Sequence, residues 1–168
     1  RGFSGDYYRL DPIEVLPHPT NLPIIVGGGG PKKTPSYAGR FADEYNMFVT
    51  DAETLRQRFD VMRTAAADAG RSPEAVKVSF AGPAVVAPDE ASYRSMLEAR
   101  GALRDQSADE YEAFLAERNV LHGTPDRAAA SIATLEQLGV SRYYVQEYRD
   151  LAEVDTDSLA PTFDMLRS

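Results

Sequence analysis

A short apolar run, Pro23-Ile24-Ile25-Val26, stops at four consecutive glycines, and the chain then passes through Pro31-Lys32-Lys33 to Thr34-Pro35. A continuous apolar run bounded by turn residues reads as a buried strand of the kind found in parallel sheets. Thr is a good helix N-cap and Pro suits the first helical position. A helix is therefore expected over about 35–42, with Tyr37, Ala38 and Phe41 on one face. Strand, glycine turn and helix start together demand an α/β architecture in which a helix crosses back over the sheet.

The alternation continues down the chain. A second strand is expected within 42–49. Asp51 caps a helix whose apolar stripe is Leu55, Phe59, Met62, Ala66 and Ala69, ended by Gly70 with Pro73 just beyond. Val76, Val78 and Phe80 alternate with polar residues as a third strand, and Ala84-Val85-Val86 is expected to extend it past Gly82-Pro83. Asp89 opens a helix with Tyr93, Met96 and Leu97. Ser107 to Glu110 fits a capping box before Tyr111, Phe114 and Leu115. Thr124-Pro125 repeats the Thr-cap device for a helix carrying Ala128, Ile132, Leu135 and Leu138, which ends at Gly139. Tyr143-Tyr144-Val145 forms a fourth strand, and a closing helix is expected within 151–167. Short strands or a hairpin are expected before residue 21, anchored by Phe3, Tyr7, Tyr8 and Leu10. This order of elements points to a parallel sheet with helical crossovers.

Composition narrows the function. At 168 residues the chain has the length of one ordinary domain. Its net charge of −8 and lack of a basic cluster argue against a general nucleic-acid binder. With no cysteine there is no disulfide, thiolate metal site or cysteine nucleophile. No apolar run approaches the ~18 residues of a membrane span, and no signal-peptide core follows Arg1. A soluble cytoplasmic protein with no membrane or nucleic-acid partner is expected. The chain does not begin with Met, so an upstream segment is expected too.

The glycine turn is the strongest chemical signal. Glycines let an anion approach the backbone, a helix N-terminus adds partial positive charge, and Thr34, Lys32 and Lys33 can contribute a hydroxyl and two cations. It is neither a Walker A loop nor a dinucleotide fingerprint. A tight turn with no ligand remains the alternative. His18 and His122 read as exposed loop residues, and neither has a partner at metal-ligand spacing. Asp43 and Glu44 lie at the start of a strand, where structural roles are expected. Asn46 lies nearer the strand's productive end, with a structural amide favoured. Gln146, Glu147 and Tyr148 end the last strand and could reach a site there, a solvated strand end being the simpler reading. Within the pairs Tyr7-Tyr8 and Tyr143-Tyr144, one ring is expected in the core and one at the surface. Asp105, Asp109, Glu110, Glu112 and Glu117 read as a solvated helix face. No Ser/His/Asp triad is arguable.

Several stretches together resemble the luciferase-like monooxygenase family, most closely its branch dependent on the deazaflavin coenzyme F420. They are Gly2 to Leu10, Pro23 to Phe48, Ala69 to Ser79, and Gly123 to Arg127 continuing into Leu138 to Gln146, in the family's order. The resemblance covers nearly the whole chain. Residues 89–121 look like the family's variable helical insertion. The resemblance implies the C-terminal half of a (β/α)8 barrel as a single partial domain over 1–168. Strands five to eight would lie near 23–26, 45–49, 76–81 and 142–146. It further implies that Gly28, Gly29, Gly30 and Thr34 hold the phosphate of F420 or, alternatively, FMN. Hydride transfer between reduced cofactor and a small organic substrate would follow. No catalytic acid or base is named, because those groups belong to the family's first half. A barrel of this type needs about 250 residues, so a partner is expected: an N-terminal half-barrel or a homo-oligomer. The alternative is a non-catalytic half-barrel that keeps only the phosphate loop.

Overall fold

The computed structural model describes residues 2–14, 16 and 19–146. Two short strands, β1 (Phe3–Ser4) and β2 (Arg9–Leu10), form an antiparallel hairpin. Tyr7 and Tyr8 at its turn are both strongly exposed, so neither is the core residue expected of that pair. The main sheet holds four parallel strands in the order β3 (Ile25–Gly27), β4 (Glu44–Phe48), β5 (Lys77–Gly82) and β8 (Arg142–Val145). Between them run α1 (Lys33–Phe41), α2 (Ala52–Asp68) and α5 (Pro125–Gln137).

Local chemistry accounts for most of the boundaries. The Asp51 side chain accepts the N–H of Thr54 at 2.8 Å, satisfying one of the free donors at the start of α2, and Gly70 adopts φ +71° just past its end. Leu55, Phe59, Met62 and Ala66 are buried as their spacing predicts, whereas Ala69 is exposed. Leu55, Phe59 and Met62 meet Tyr45, Met47, Val78 and Phe80 from the sheet in one core, joined by Leu135 and Val140. Each large side chain buried there is worth about 1.5–3 kcal/mol.

α1 departs from expectation in two ways. Its N-cap is Lys32, with no side-chain cap bond, so Thr34 lies inside the first turn and its hydroxyl caps nothing. Tyr37 and Phe41 are exposed, and the buried residues are Pro35, Ala38 and Gly39. The reason is close helix approach: a Cβ on Gly39 would come within 2.2 Å of the Met62 carbonyl oxygen. Small residues, not large ones, define the face of α1 that meets α2.

After Gly82 the chain leaves the sheet. Ala84–Val86 is not an extension of β5 but a separate strand, β6, paired in parallel with β7 (Leu121–Gly123). Between them lie α3 (Glu90–Ala102) and α4 (Ala108–Glu117). Asp89 caps α3, and Ser107 with Glu110 completes both halves of the capping box on α4. Val85, Tyr93, Leu97, Tyr111, Leu115 and Val120 give this excursion a core of its own. The expected closing helix within 151–167 lies outside the described residues.

Candidate functional site

Strand register divides the main sheet into two faces. Val26, Tyr45, Met47, Val78, Phe80 and Tyr143 point into the helix-covered core. Ile25 and Gly27, Glu44, Asn46 and Phe48, Ser79 and Ala81, and Arg142 and Tyr144 share the opposite face. There Ile25 is 53%, Phe48 61% and Tyr144 37% exposed. Among these apolar residues runs a polar chain. Asn46 Nδ2 donates to Ser79 Oγ at 2.9 Å, Ser79 donates to Glu44 Oε1 at 2.6 Å, and Arg142 donates to Glu44 Oε2 at 2.8 Å. The same guanidinium donates to the Tyr144 hydroxyl at 2.9 Å. Ser79 and Glu44 are buried within this chain. Asn46 is therefore the structural amide the sequence favoured. Sequence reasoning missed Ser79 and Arg142 and the burial of Glu44, because only register brings them together. Asp43 also holds the structural role expected of it, accepting the Ile24 N–H at 2.8 Å.

The glycine turn lies at the C-terminal end of β3, where it opens into α1. Gly28 adopts φ +139°, and its N–H donates to the Asn46 carbonyl at 3.1 Å. The Tyr45 hydroxyl donates to the Gly28 carbonyl at 3.2 Å, and burial holds that phenol above its ordinary pKa. A Cβ on Gly28 would lie 3.3 Å from Thr34 Cγ2, and one on Gly30 would lie 3.0 Å from Thr34 Oγ1. The two glycines thus leave clear the space around a hydroxyl that has no other bond among the described residues. Arg58, from α2, enters the same corner: its Nη2 lies 3.9 Å from where a Gly29 Cβ would sit. The sequence did carry a sign of it. Arg58 occupies the position between Leu55 and Phe59 on the apolar stripe, where a cation is out of place.

The remaining candidates fall elsewhere. His122 is not an exposed loop residue. It lies half-buried in β7, its Nδ1 2.7 Å from the Val120 carbonyl and its ring 6.5 Å from that of Tyr93. Glu112 also leaves the expected solvated face: it pairs with Arg127 and accepts the Tyr93 hydroxyl. The Arg127 bond holds the Glu112 carboxyl below its ordinary pKa, while burial and then the nearby Glu112 charge push the Tyr93 phenol up. Tyr143 and Tyr144 divide between core and open face as expected. Gln146 donates its N–H to the Gly82 carbonyl at the end of β8, half-buried rather than solvated. His18, Glu147 and Tyr148 lie outside the described residues. Among the described residues no three His, Asp or Glu side chains gather to hold a metal, and no helix is long and apolar enough to cross a membrane.

The family model described as luciferase-like monooxygenase matches residues 2–142. The chain belongs to the luciferase-like monooxygenase family. Solved structures agree on the fold. The monooxygenase RslO1 from Streptomyces bottropensis superposes with a TM-score of 0.73 at 20% identity, over 98% of this chain and 53% of that one. An F420-dependent secondary alcohol dehydrogenase, in complex with an F420-acetone adduct, gives 0.66 at 19% identity, over 86% and 49%. The oxygenating constituent of 3,6-diketocamphane monooxygenase from the CAM plasmid of Pseudomonas putida, in complex with FMN, gives 0.61 at 16%, over 98% and 55%. No curated protein matches the chain in sequence. This luciferase-like chain therefore spans about half the length of the solved structures it resembles. Its fold is α/β, the C-terminal half of a (β/α)8 barrel. The face bearing Glu44, Ser79 and Arg142 corresponds to a barrel interior, and the glycine turn to the strand C-terminal end where such barrels place their sites.

Proposed function

We propose that this chain is the C-terminal half of an oxidoreductase that transfers a hydride between reduced F420, or alternatively FMN, and a small organic substrate. One observation carries the reading: the turn after β3, where glycines clear the space around an uncommitted Thr34 hydroxyl at the start of α1. Gly28, Gly29, Gly30 and Thr34 are assigned to the cofactor phosphate, through the Gly29 and Gly30 N–H groups, the clearance Gly28 gives, the Thr34 hydroxyl and the partial positive charge of the helix start. The residues present fit such a group, since a side chain at Gly28 or Gly30 would crowd that space. When bound, the cofactor supplies the hydride chemistry, and the protein binds, orients and screens it. No catalytic acid or base is assigned within 1–168, which we treat as one partial domain with a helical insertion over about 89–121.

Two features support a partner. Four strands cannot close an eight-stranded barrel, and Ile25, Phe48 and Tyr144 lie open on the face that would become its interior. An N-terminal half-barrel is the partner proposed, with a second copy of the chain as the alternative. A cytoplasmic setting goes with this chemistry.

The test is a fluorescence titration of the intact protein with F420 and with FMN, followed by hydride transfer to small carbonyl or alcohol substrates. Saturable binding of one cofactor with turnover is expected. Failure to bind either rejects the reading. The open face also favours a second reading, a non-catalytic half-barrel, and phosphate binding without any turnover would establish that instead.

A further inference from the structure

Among the described residues Arg58 is a cation without a counter-charge. Among those residues its Nε, which is buried, has no hydrogen-bond partner, and its Nη1 meets the Met47 sulfur, a weak acceptor, at 4.0 Å. On its own helix the neighbours one turn away are Thr54, Leu55, Val61 and Met62, none of them acidic. No carboxylate among the described residues pairs with it. Leaving a partly buried guanidinium donor unsatisfied is costly, and such groups in folded proteins are normally paired.

Its head lies against the glycine turn, 3.9 Å from the position a Gly29 Cβ would take, beside the Tyr45 phenol that holds the Gly28 carbonyl. The uncommitted Thr34 hydroxyl borders the same turn. Two independent loose ends, one from α1 and one from α2, thus border the same three-glycine turn.

We infer that Arg58 is a half-buried phosphate-binding cation of this site, holding the phosphate of a flavin-type cofactor across the Gly28–Gly30 turn beyond what the exposed Lys32 and Lys33 supply. The inference rests on the cofactor reading above and adds a specificity to it. A guanidinium fork recognises a phosphate through two parallel N–H bonds, which an ammonium cannot reproduce. Arg58 would therefore discriminate phosphorylated from unphosphorylated forms of the same ring system.

The experiment compares FMN with riboflavin, and F420 with its phosphate-free deazariboflavin, on intact wild-type protein and on Arg58→Met and Arg58→Lys. In the wild type the phosphorylated member of a pair should bind more tightly. Arg58→Met should weaken that member by about tenfold or more and leave the unphosphorylated member unchanged, which also shows that the variant is folded. Arg58→Lys should fall between. A phosphate preference unaltered in Arg58→Met, or absent from the wild type, overturns the assignment while the cofactor reading stands. If no member of either pair binds, the cofactor reading falls. Arg58 is then judged by thermal stabilisation in inorganic phosphate against chloride at equal ionic strength. Stabilisation lost in Arg58→Met supports an anion site. An equal response in both proteins marks a general salt effect and overturns it.

Discussion

Gly28 combines two demands that only glycine meets: φ at +139° and a Thr34 side chain 3.3 Å from any added Cβ. Gly28→Ala should therefore cost about 1–3 kcal/mol of stability, measured by urea denaturation. Gly29 faces no such limit, since a Cβ there meets only Arg58 Nη2 at 3.9 Å. Gly29→Ala should leave stability nearly unchanged, and a loss comparable to that of Gly28→Ala would show that the turn is held more tightly than its contacts indicate. At this scale the sequence revealed the glycine turn, because its meaning is local. It hid the Glu44–Ser79–Arg142 chain, and marked Arg58 only as a cation out of place on an apolar stripe, because what each meets depends on where distant elements dock. Thr34 shows the intermediate case. Its residue type suggested both a cap and a hydroxyl for an anion, and the helix starts early enough that it caps nothing and its hydroxyl is left uncommitted.

Elements were legible in proportion to how locally they are determined. Asp51, Asp89 and Ser107 each cap the helix their spacing announces, since a cap is settled within four residues. β7 was invisible, because three residues, Leu121–Gly123, become a strand only by pairing with Ala84–Val86 far upstream. Tyr37 and Phe41 misled for the opposite reason: their size suggested burial, yet backbone approach at Gly39 decides which face of α1 meets α2. The caps have a pH signature. Backbone N–H bonds hold the Asp51 and Asp89 carboxyls below their ordinary value of 3.8. The Ser107 hydroxyl and N–H hold Glu110 below 4.5. A carboxyl whose folded pKa is depressed stabilises the fold fully above its ordinary value and loses that contribution as pH falls through the folded value. Melting temperatures followed from about pH 6 down to about pH 3 should fall, and Asp51→Asn with Asp89→Asn should flatten that fall. Asn keeps the cap geometry but does not titrate.

At the scale of the molecule, the sheet ends at β3 and β8, whose outer ladder groups have no partner strand among the described residues, beside a face bearing Ile25, Phe48 and Tyr144. Unpaired parallel edges next to apolar surface favour association. Light scattering on the isolated chain should report a mass above that of the 18.4 kDa protomer, and a stable monomer at low concentration would contradict it. The polar chain across the open face sets a clock as well as a contact. Arg142 and Glu44 are 98 positions apart, and Ser141 bonds Val78 over 63. Closing so long a loop is entropically late, so β8 should join a sheet whose first three strands are already assembled. Contacts made after the rate-limiting step affect how fast a protein comes apart, not how fast it forms. Arg142→Met should thus leave the refolding rate nearly untouched and speed unfolding. In stopped-flow traces, Arg142 would act as the latch that is thrown last and released first.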